Sequence, residues 1–164
     1  LVKGNMYNYQ NLANSIISVL ESKYTISEKI TSEFKMSGRM EVLQKNEPKV
    51  IFDAAHNEDG FNKLLIEIDK SQGLDQILML SFSKDKKFNE IIKSIPKKIN
   101  FVLFHGEHDR SFTPDTSQDF VFENFKQAYE SVIKNNPSIN IIWIAGSFYI
   151  YKNISHFFLE KHLS

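Results

Sequence analysis

Four apolar runs, separated by segments of helical pattern, constrain the fold of this chain more than any other feature. They are "KVIFDA" (49–54), "QILMLSF" (76–82), "NFVLFHG" (100–106) and "NIIWIAG" (140–146). Runs that are apolar at nearly every position are typical of strands buried on both faces. Four segments with helical patterns accompany them, at 59–70, 86–95, 116–135 and 148–162. This alternation predicts an α/β fold, with a mostly parallel sheet and helices on both faces.

The chain before residue 37 has a different pattern. Two helices are predicted there, over 8–22 and 27–35. The small residues Ser37 and Gly38 then break the pattern, ahead of a strand predicted at 40–44. We therefore predict two parts: a helical segment, 1–36, and an α/β domain, 37–164.

The composition excludes several classes of protein. Lysine plus arginine (20) equals aspartate plus glutamate (20), whereas a nucleic-acid-binding surface usually needs a basic excess. The chain has no cysteine, which excludes disulfides and cysteine zinc sites and fits a reducing cytoplasm. No apolar run approaches the ~18 residues of a membrane-spanning helix, and no signal peptide is visible. We therefore expect a cytoplasmic protein that binds neither nucleic acid nor membranes.

Polar residues follow each of the four apolar runs. Asp53 and His56 come at the end of the first run, and three more segments follow the others: "SFSKD" (81–85), "HGEHD" (105–109) and "GSFY" (146–149). In open α/β sheets, ligands bind beyond the carboxyl ends of the strands. The small pair Gly146-Ser147 would let a ligand approach the backbone, and the helix start behind it favours a carboxylate. The sequence therefore predicts a binding site at this edge.

The candidate residues also have purely structural interpretations. Asp53 could orient or charge His56, or it could simply cap the next helix. Arg39, at the predicted boundary, could clamp a phosphate, or it could pair with a glutamate on the surface. His105 and His108 have no evident third ligand, which favours a surface loop over a metal site. From the residues alone, the alternatives for Asp53 and Arg39 remain open.

Two nucleotide-binding motifs are absent from the sequence. Neither the P-loop pattern G-x-x-x-x-G-K-[ST] nor the dinucleotide pattern G-x-G-x-x-G occurs in it. These residues therefore cannot bind a triphosphate through a P-loop of their own, and a self-contained kinase is not supported.

Three segments occur in an informative order: "SGRMEVL" (37–43), "IFDAAHNEDGF" (51–61) and "IAGSFYIY" (144–151). They resemble the P-G-R-[LM]-E, D-G-A-H-N-P and T-G-S-L-Y motifs of folylpolyglutamate synthase and dihydrofolate synthase, in the C-terminal domain of these Mur-type ligases. "GNMYNYQNLANSI" (4–16) and "SFSKD" are similar to two further motifs, so that the resemblance covers essentially the whole chain. It implies a Rossmann-like C-terminal domain, preceded by a helical tail of the central ATPase domain.

The resemblance implies an ATP-dependent ligase that adds L-glutamate to a folate, tetrahydrofolate or dihydropteroate, through an acyl phosphate. Such activation is chemically necessary, because a carboxylate reacts with an amine only after its oxygen becomes a good leaving group. In this family, the P-loop and the Mg²⁺ ligands lie in an N-terminal ATPase domain. The resemblance therefore implies that the chain works with that domain and has no ligase activity alone.

By motif position, the resemblance assigns three residues to the nucleotide: Asn11, Arg39 and Asp53. It assigns three to the glutamate: His56, which is also the catalytic candidate, Ser147 and Tyr149. Ala54, Glu58 and Ser83 depart from the usual motif residues, which leaves the folate preference open. Two alternatives remain: a Mur-type ligase that adds an amino acid to a muramyl peptide, and a non-catalytic α/β ligand-binding module.

Overall fold

The computed structural model describes residues 13–14, 16–18, 37–84, 88–112 and 120–163. The five described residues before Ser37 are helical and fall within the helix predicted at 8–22. Asn11 and the helix predicted at 27–35 lie outside the described residues. The division of the chain at residue 37 therefore remains a prediction.

From Ser37 onward, the described residues form six strands, four α-helices and one 3-10 turn. In chain order these are β1 (Glu41–Gln44), β2 (Lys49–Asp53), α1 (Glu58–Asp69), β3 (Gln76–Leu80), α2 (Phe88–Ser94), β4 (Asn100–Phe104), β5 (Val121–Phe122), α3 (Phe125–Asn135), β6 (Ile141–Ala145), the 3-10 turn (Phe148–Ile150) and α4 (Tyr151–Leu163).

The six strands form one sheet in the order β1-β2-β6-β3-β4-β5. Every neighbouring pair from β2 to β5 is parallel, and β1 alone in this sheet is antiparallel to its neighbour. β6 is the last strand in the sequence, yet it lies between β2 and β3. The carboxyl end of β6 therefore lies between the carboxyl ends of β2 and β3. The predicted α/β class with a mostly parallel sheet is confirmed.

Strand β6 shows why the apolar runs are continuous. Ile142 and Ile144 pack into a core with helices α3 and α4, on one face of the sheet. The other three residues of the strand pack into a second core with α1 and α2, on the opposite face: Ile141, Trp143 and Ala145. Fully burying a large aliphatic side chain contributes about 1.5–3 kcal/mol, so both faces favour an apolar residue at every position. The prediction of helices on both faces is confirmed.

One predicted helix was too long. We predicted a helix over 116–135, but α3 begins only at Phe125, and Val121–Phe122 form the edge strand β5 beside β4. Asn124 sets the start of α3, because its side chain accepts a hydrogen bond from the N–H of Gln127. No helix in the described part of the chain has the length and apolarity needed to cross a membrane.

Candidate functional site

The loops at the carboxyl ends of β2, β6, β3 and β4 lie together, as the sequence predicted. We call these loop residues the carboxyl edge: 53–57, 81–84, 105–112 and 146–149. The N–H of Gly146 donates to the carbonyl of Ala55 at 2.9 Å, which joins the ends of β6 and β2. The N–H of Lys84 donates to the carbonyl of Arg110 at 2.8 Å, which joins the loops after β3 and β4. Backbone hydrogen bonds therefore hold the edge together.

Asp53 and Arg39 are in contact at the end of β2. The Asp53 side chain is 1% exposed, and its Oδ2 accepts a hydrogen bond from the N–H of Met40 at 2.9 Å. Its Oδ1 lies 3.5 Å from Nη1 of Arg39, whose side chain is 22% exposed. The carbonyl of Gly38 accepts from the N–H of Ala54 at 2.8 Å, so the whole turn before β1 docks on the end of β2. Arg39 is thus held at the edge by a buried acid, and it does not pair only with a surface glutamate.

Burial dominates the electrostatics of Asp53. Removal from water raises the pKa of the Asp53 carboxyl above its usual range. The Met40 N–H and the positive charge of Arg39 oppose this rise without cancelling it. The acid is therefore easier to protonate than a surface aspartate, and Arg39 supports its ionised form.

Replacing Asp53 with asparagine should remove a pH-dependent part of the stability. Because its pKa is raised on folding, the folded chain binds this proton more tightly than the unfolded chain does. The contribution of Asp53 is therefore fully present below the unfolded pKa and is lost as the pH rises through the folded pKa. Urea denaturation of both proteins, from acidic to neutral pH, measures the difference. We expect wild type to lose stability relative to the variant with rising pH, and the opposite trend would show that the ion pair outweighs burial.

His56 is half-buried, and the backbone orients its ring. Its Nδ1 lies 2.8 Å from the carbonyl oxygen of Ala54. A carbonyl can only accept, so Nδ1 carries the proton and Nε2 is left for a ligand. The next residue, Asn57, caps α1 by accepting from the N–H of Gly60 at 2.9 Å. The helix cap is therefore Asn57 and not Asp53, and the ring takes its orientation from Ala54 and not from Asp53.

Ser147 belongs to a group of buried serines. It is 2% exposed, its Oγ lies 3.1 Å from Oγ of Ser83, and it accepts from the N–H of Tyr149 at 3.3 Å. Gly146, just before it, must be a glycine for packing reasons, because a Cβ there would lie 2.2 Å from the carbonyl oxygen of Ser81. The approach of a ligand to the backbone of this pair stays a prediction.

Tyr149 is the exposed member of the edge after β6. Its side chain is 53% exposed, and its hydroxyl accepts a hydrogen bond from Nη1 of Arg110 at 2.7 Å. The His108 ring packs against the same tyrosine, with centroids 5.1 Å apart. Burial, followed by the charge of His105, lowers the pKa of His108, so this ring favours its neutral form. The Arg110 guanidinium thus lies at the Tyr149 hydroxyl, and the backbone of Lys84 is hydrogen-bonded to the same loop.

Arg110 was missed by the sequence analysis, which placed its loop on the surface. The available signal was its position just after an apolar run, which is the criterion that selected Asp53. Five of the six predicted site residues lie at or against the carboxyl edge: Arg39, Asp53, His56, Ser147 and Tyr149. Their roles remain predictions. Over the described ranges, no group of three or more His, Cys, Asp or Glu residues could hold a metal ion.

Comparison with known proteins identifies the family. Residues 38–148 match the family model for the Mur ligase, glutamate ligase domain. A search of curated proteins gave no significant match.

Solved structures share the fold of the chain. E. coli FolC in complex with ADP has a TM-score of 0.75 at 16% identity, over 94% of this chain and 40% of that chain. Folylpolyglutamate synthase from Mycobacterium tuberculosis, complexed with ADP and AMPPCP, has a TM-score of 0.70 at 19% identity, over 85% and 37%. A bifunctional folylpolyglutamate synthase/dihydrofolate synthase with Mn, AMPPNP and L-glutamate bound has a TM-score of 0.66 at 16% identity, over 89% and 38%.

The chain thus spans about two fifths of the length of these solved proteins. At such low identity, the likeness shows a shared fold. The family match rests on the sequence and covers more than half of the chain. It includes the Gly38–Glu41 turn, the loop after β2 and the start of the segment after β6. The chain is a member of the Mur ligase family and corresponds to its glutamate ligase domain.

Proposed function

We propose that this chain is the C-terminal domain of an ATP-dependent ligase that joins L-glutamate to a folate through an acyl phosphate. One observation carries the proposal: the Arg39–Asp53 pair at the end of β2 lies beside the segment of Ser147 and Tyr149 at the end of β6. Similar solved structures hold ADP in one case and AMPPNP with L-glutamate in another, which supports the same chemistry.

Arg39 is proposed to act on the nucleotide. Its guanidinium is partly exposed, and its contact with Asp53 at 3.5 Å is long for a hydrogen bond. It can therefore turn toward a phosphate without breaking the turn, because Asp53 keeps its bond to the Met40 N–H. A guanidinium suits the spread charge of a transferring phosphoryl group, and it can bind two oxygens at once. By motif position, Asn11 would contact the same nucleotide.

Tyr149 and Arg110 are proposed to hold glutamate. Two carboxylates make glutamate an anion, and Arg110 supplies the opposite charge at the exposed Tyr149 hydroxyl. Ser147 would hold the backbone of this segment in place, since its Oγ accepts a hydrogen bond from the N–H of Tyr149 and is hydrogen-bonded to Oγ of Ser83.

His56 is the proposed catalytic residue. The amine of glutamate must lose a proton as its nitrogen attacks the acyl phosphate carbonyl and phosphate departs. With Nδ1 bonded to Ala54, the free Nε2 can receive that proton.

ATP and Mg²⁺ are proposed to be held mainly by an N-terminal ATPase domain. The sequence has no P-loop, and the chain spans about two fifths of its structural relatives. No step assigned to the residues of this domain depends on Mg²⁺. We further propose that the protein acts in the cytoplasm, since a chain without cysteine suits a reducing compartment.

The test is ligation by the full-length protein, supplied with ATP, Mg²⁺, a folate and L-glutamate. We expect ADP, phosphate and a folate that is longer by one glutamate, and no turnover by residues 1–164 alone. Turnover only with a muramyl peptide would support the muramyl-peptide alternative. No turnover with any acceptor would support a binding module.

Arg110→Ala in the same assay should raise the KM for glutamate by about 10- to 100-fold, the range for losing a hydrogen bond to a charged group. The KM for ATP should stay unchanged, because Arg110 lies on the glutamate side of the edge. Lys134→Ala is the matched control, since this exposed lysine is in the last turn of α3 and lies near Pro48, just before the start of β2, at the opposite edge of the sheet. Equal KM values for glutamate in the Arg110 and Lys134 variants would remove Arg110 from the site.

A further inference from the structure

Glu41 joins the turn that carries Arg39 to the start of α4. One of its oxygens, Oε2, accepts from the N–H of Gly38 at 2.7 Å and from the hydroxyl of Tyr151 at 2.8 Å. Burial, with the neighbouring Glu41 carboxylate, raises the pKa of Tyr151, so the hydroxyl keeps the proton that it donates. A single carboxylate oxygen therefore links two segments that lie 110 residues apart.

Aromatic packing strengthens the same link. Phe148 stacks on Tyr151, with ring centroids 5.6 Å apart and planes 16° from parallel. Phe52 of β2 packs against Tyr151 as well, at 5.2 Å. The Phe148 ring also covers Gly38, where a Cβ would lie 3.0 Å from its Cε2. The turn therefore packs against Phe148 and Tyr151, the aromatic side chains that follow Ser147.

Met40, at the other end of the turn, is held in its conformation by contacts with residues outside the turn. Met40 has a φ of 46°, a left-handed conformation that costs a non-glycine residue roughly 1–2 kcal/mol. Its N–H is held by Asp53, and the carbonyl of Gly38 is held by Ala54. Arg39 lies between these two anchored residues, so its position is set by both anchors.

We propose that Glu41 and Tyr151 are positioning residues, which make the turn of Arg39 and the segment of Ser147 and Tyr149 one mechanical unit. The roles of Arg39 toward the nucleotide and of Ser147 and Tyr149 toward glutamate come from the proposed function, on which this inference rests. Arg39 and the glutamate-binding side chains would therefore keep fixed positions relative to each other when the ATPase domain contacts the carboxyl edge. Neither Glu41 nor Tyr151 touches a reacting atom in this scheme.

Amide hydrogen exchange in the intact protein tests the link without reference to activity. Glu41→Ala should speed exchange at Gly38 and also at Met40, whose N–H bonds to Asp53 and not to Glu41. Tyr151→Phe removes only a hydroxyl and should raise both rates by a smaller factor. Glu41→Gln keeps an acceptor oxygen and should restore rates near wild type, and Gly60, bonded to Asn57, is the unchanged reference. If Glu41→Ala affects Gly38 alone and Tyr151→Phe affects neither amide, the proposal is overturned.

Ligation kinetics separate this proposal from the proposed function. Tyr151→Phe should raise the KM for ATP about 3- to 10-fold, as expected for one lost hydrogen bond, and should also lower the Tm slightly. A merely structural role would lower the Tm and leave the KM unchanged, and that result would count against positioning. If wild type does not ligate, the proposed function fails, while the exchange rates still decide whether the link exists.

Discussion

Replacing Gly146 with alanine is expected to lower the free energy of unfolding by about 3 kcal/mol or more, in the range of the most damaging single substitutions. Gly146 has a φ of +116°, which side chains rarely adopt, and the added Cβ would lie 2.2 Å from the carbonyl oxygen of Ser81. The obstacle is backbone just after β3, so no rotamer change can relieve it. Because β3 pairs with β6 inside the sheet, separating the strands would cost core packing on both faces.

Gly73→Ala is the matched control for this experiment. Gly73 also has a positive φ, +90°, but nothing lies within 4 Å of the Cβ that alanine would add. Its substitution should cost only the conformational strain, roughly 1–2 kcal/mol. Urea denaturation of both variants isolates the clash as the difference between them. Equal losses of stability would contradict the close approach of β6 to the backbone after β3.

The strands were predictable because their signal is local. A strand buried on both faces must be apolar at almost every position, so β2, β3, β4 and β6 could be read directly from their runs. β5 was missed because it has two residues, too few to show a period, and exists only through its pairing with β4. The place of β6 between β2 and β3 is likewise a tertiary result that no local pattern contains.

The site was predictable only in part, for the same reason. Motif position pointed to Arg39 and Asp53, which meet because β1 runs antiparallel beside β2 and brings its preceding turn to the end of that strand. Arg110 was missed because its partner Tyr149 is 39 residues away, so that the pair is visible only in three dimensions. Orientation of the His56 ring by Asp53 was one of two open alternatives, and the structure shows that the backbone carbonyl of Ala54 orients the ring, a contact that residue types alone do not reveal.

Arg39→Ala in the full-length protein should reduce the rate of ligation about 100- to 1,000-fold, which is the usual cost of removing one fixed donor from developing charge. The loss should fall on kcat and on the KM for ATP, because the guanidinium is proposed to meet the phosphate. Arg39→Lys keeps the charge but not the two-pronged geometry, and it should recover only part of the rate.

Stability is the control for this prediction. Arg39→Ala removes the positive charge beside the buried Asp53, so its Tm should fall, whereas Arg39→Lys keeps a positive charge there and should hold the Tm closer to wild type. A large fall in rate in the lysine variant, with a nearly unchanged Tm, would therefore locate the effect in the chemistry. A rate within a few-fold of wild type would remove Arg39 from the mechanism. Because the nucleotide side of the proposal depends on this guanidinium, that result would favour the alternative of a domain that binds a ligand without catalysing its ligation.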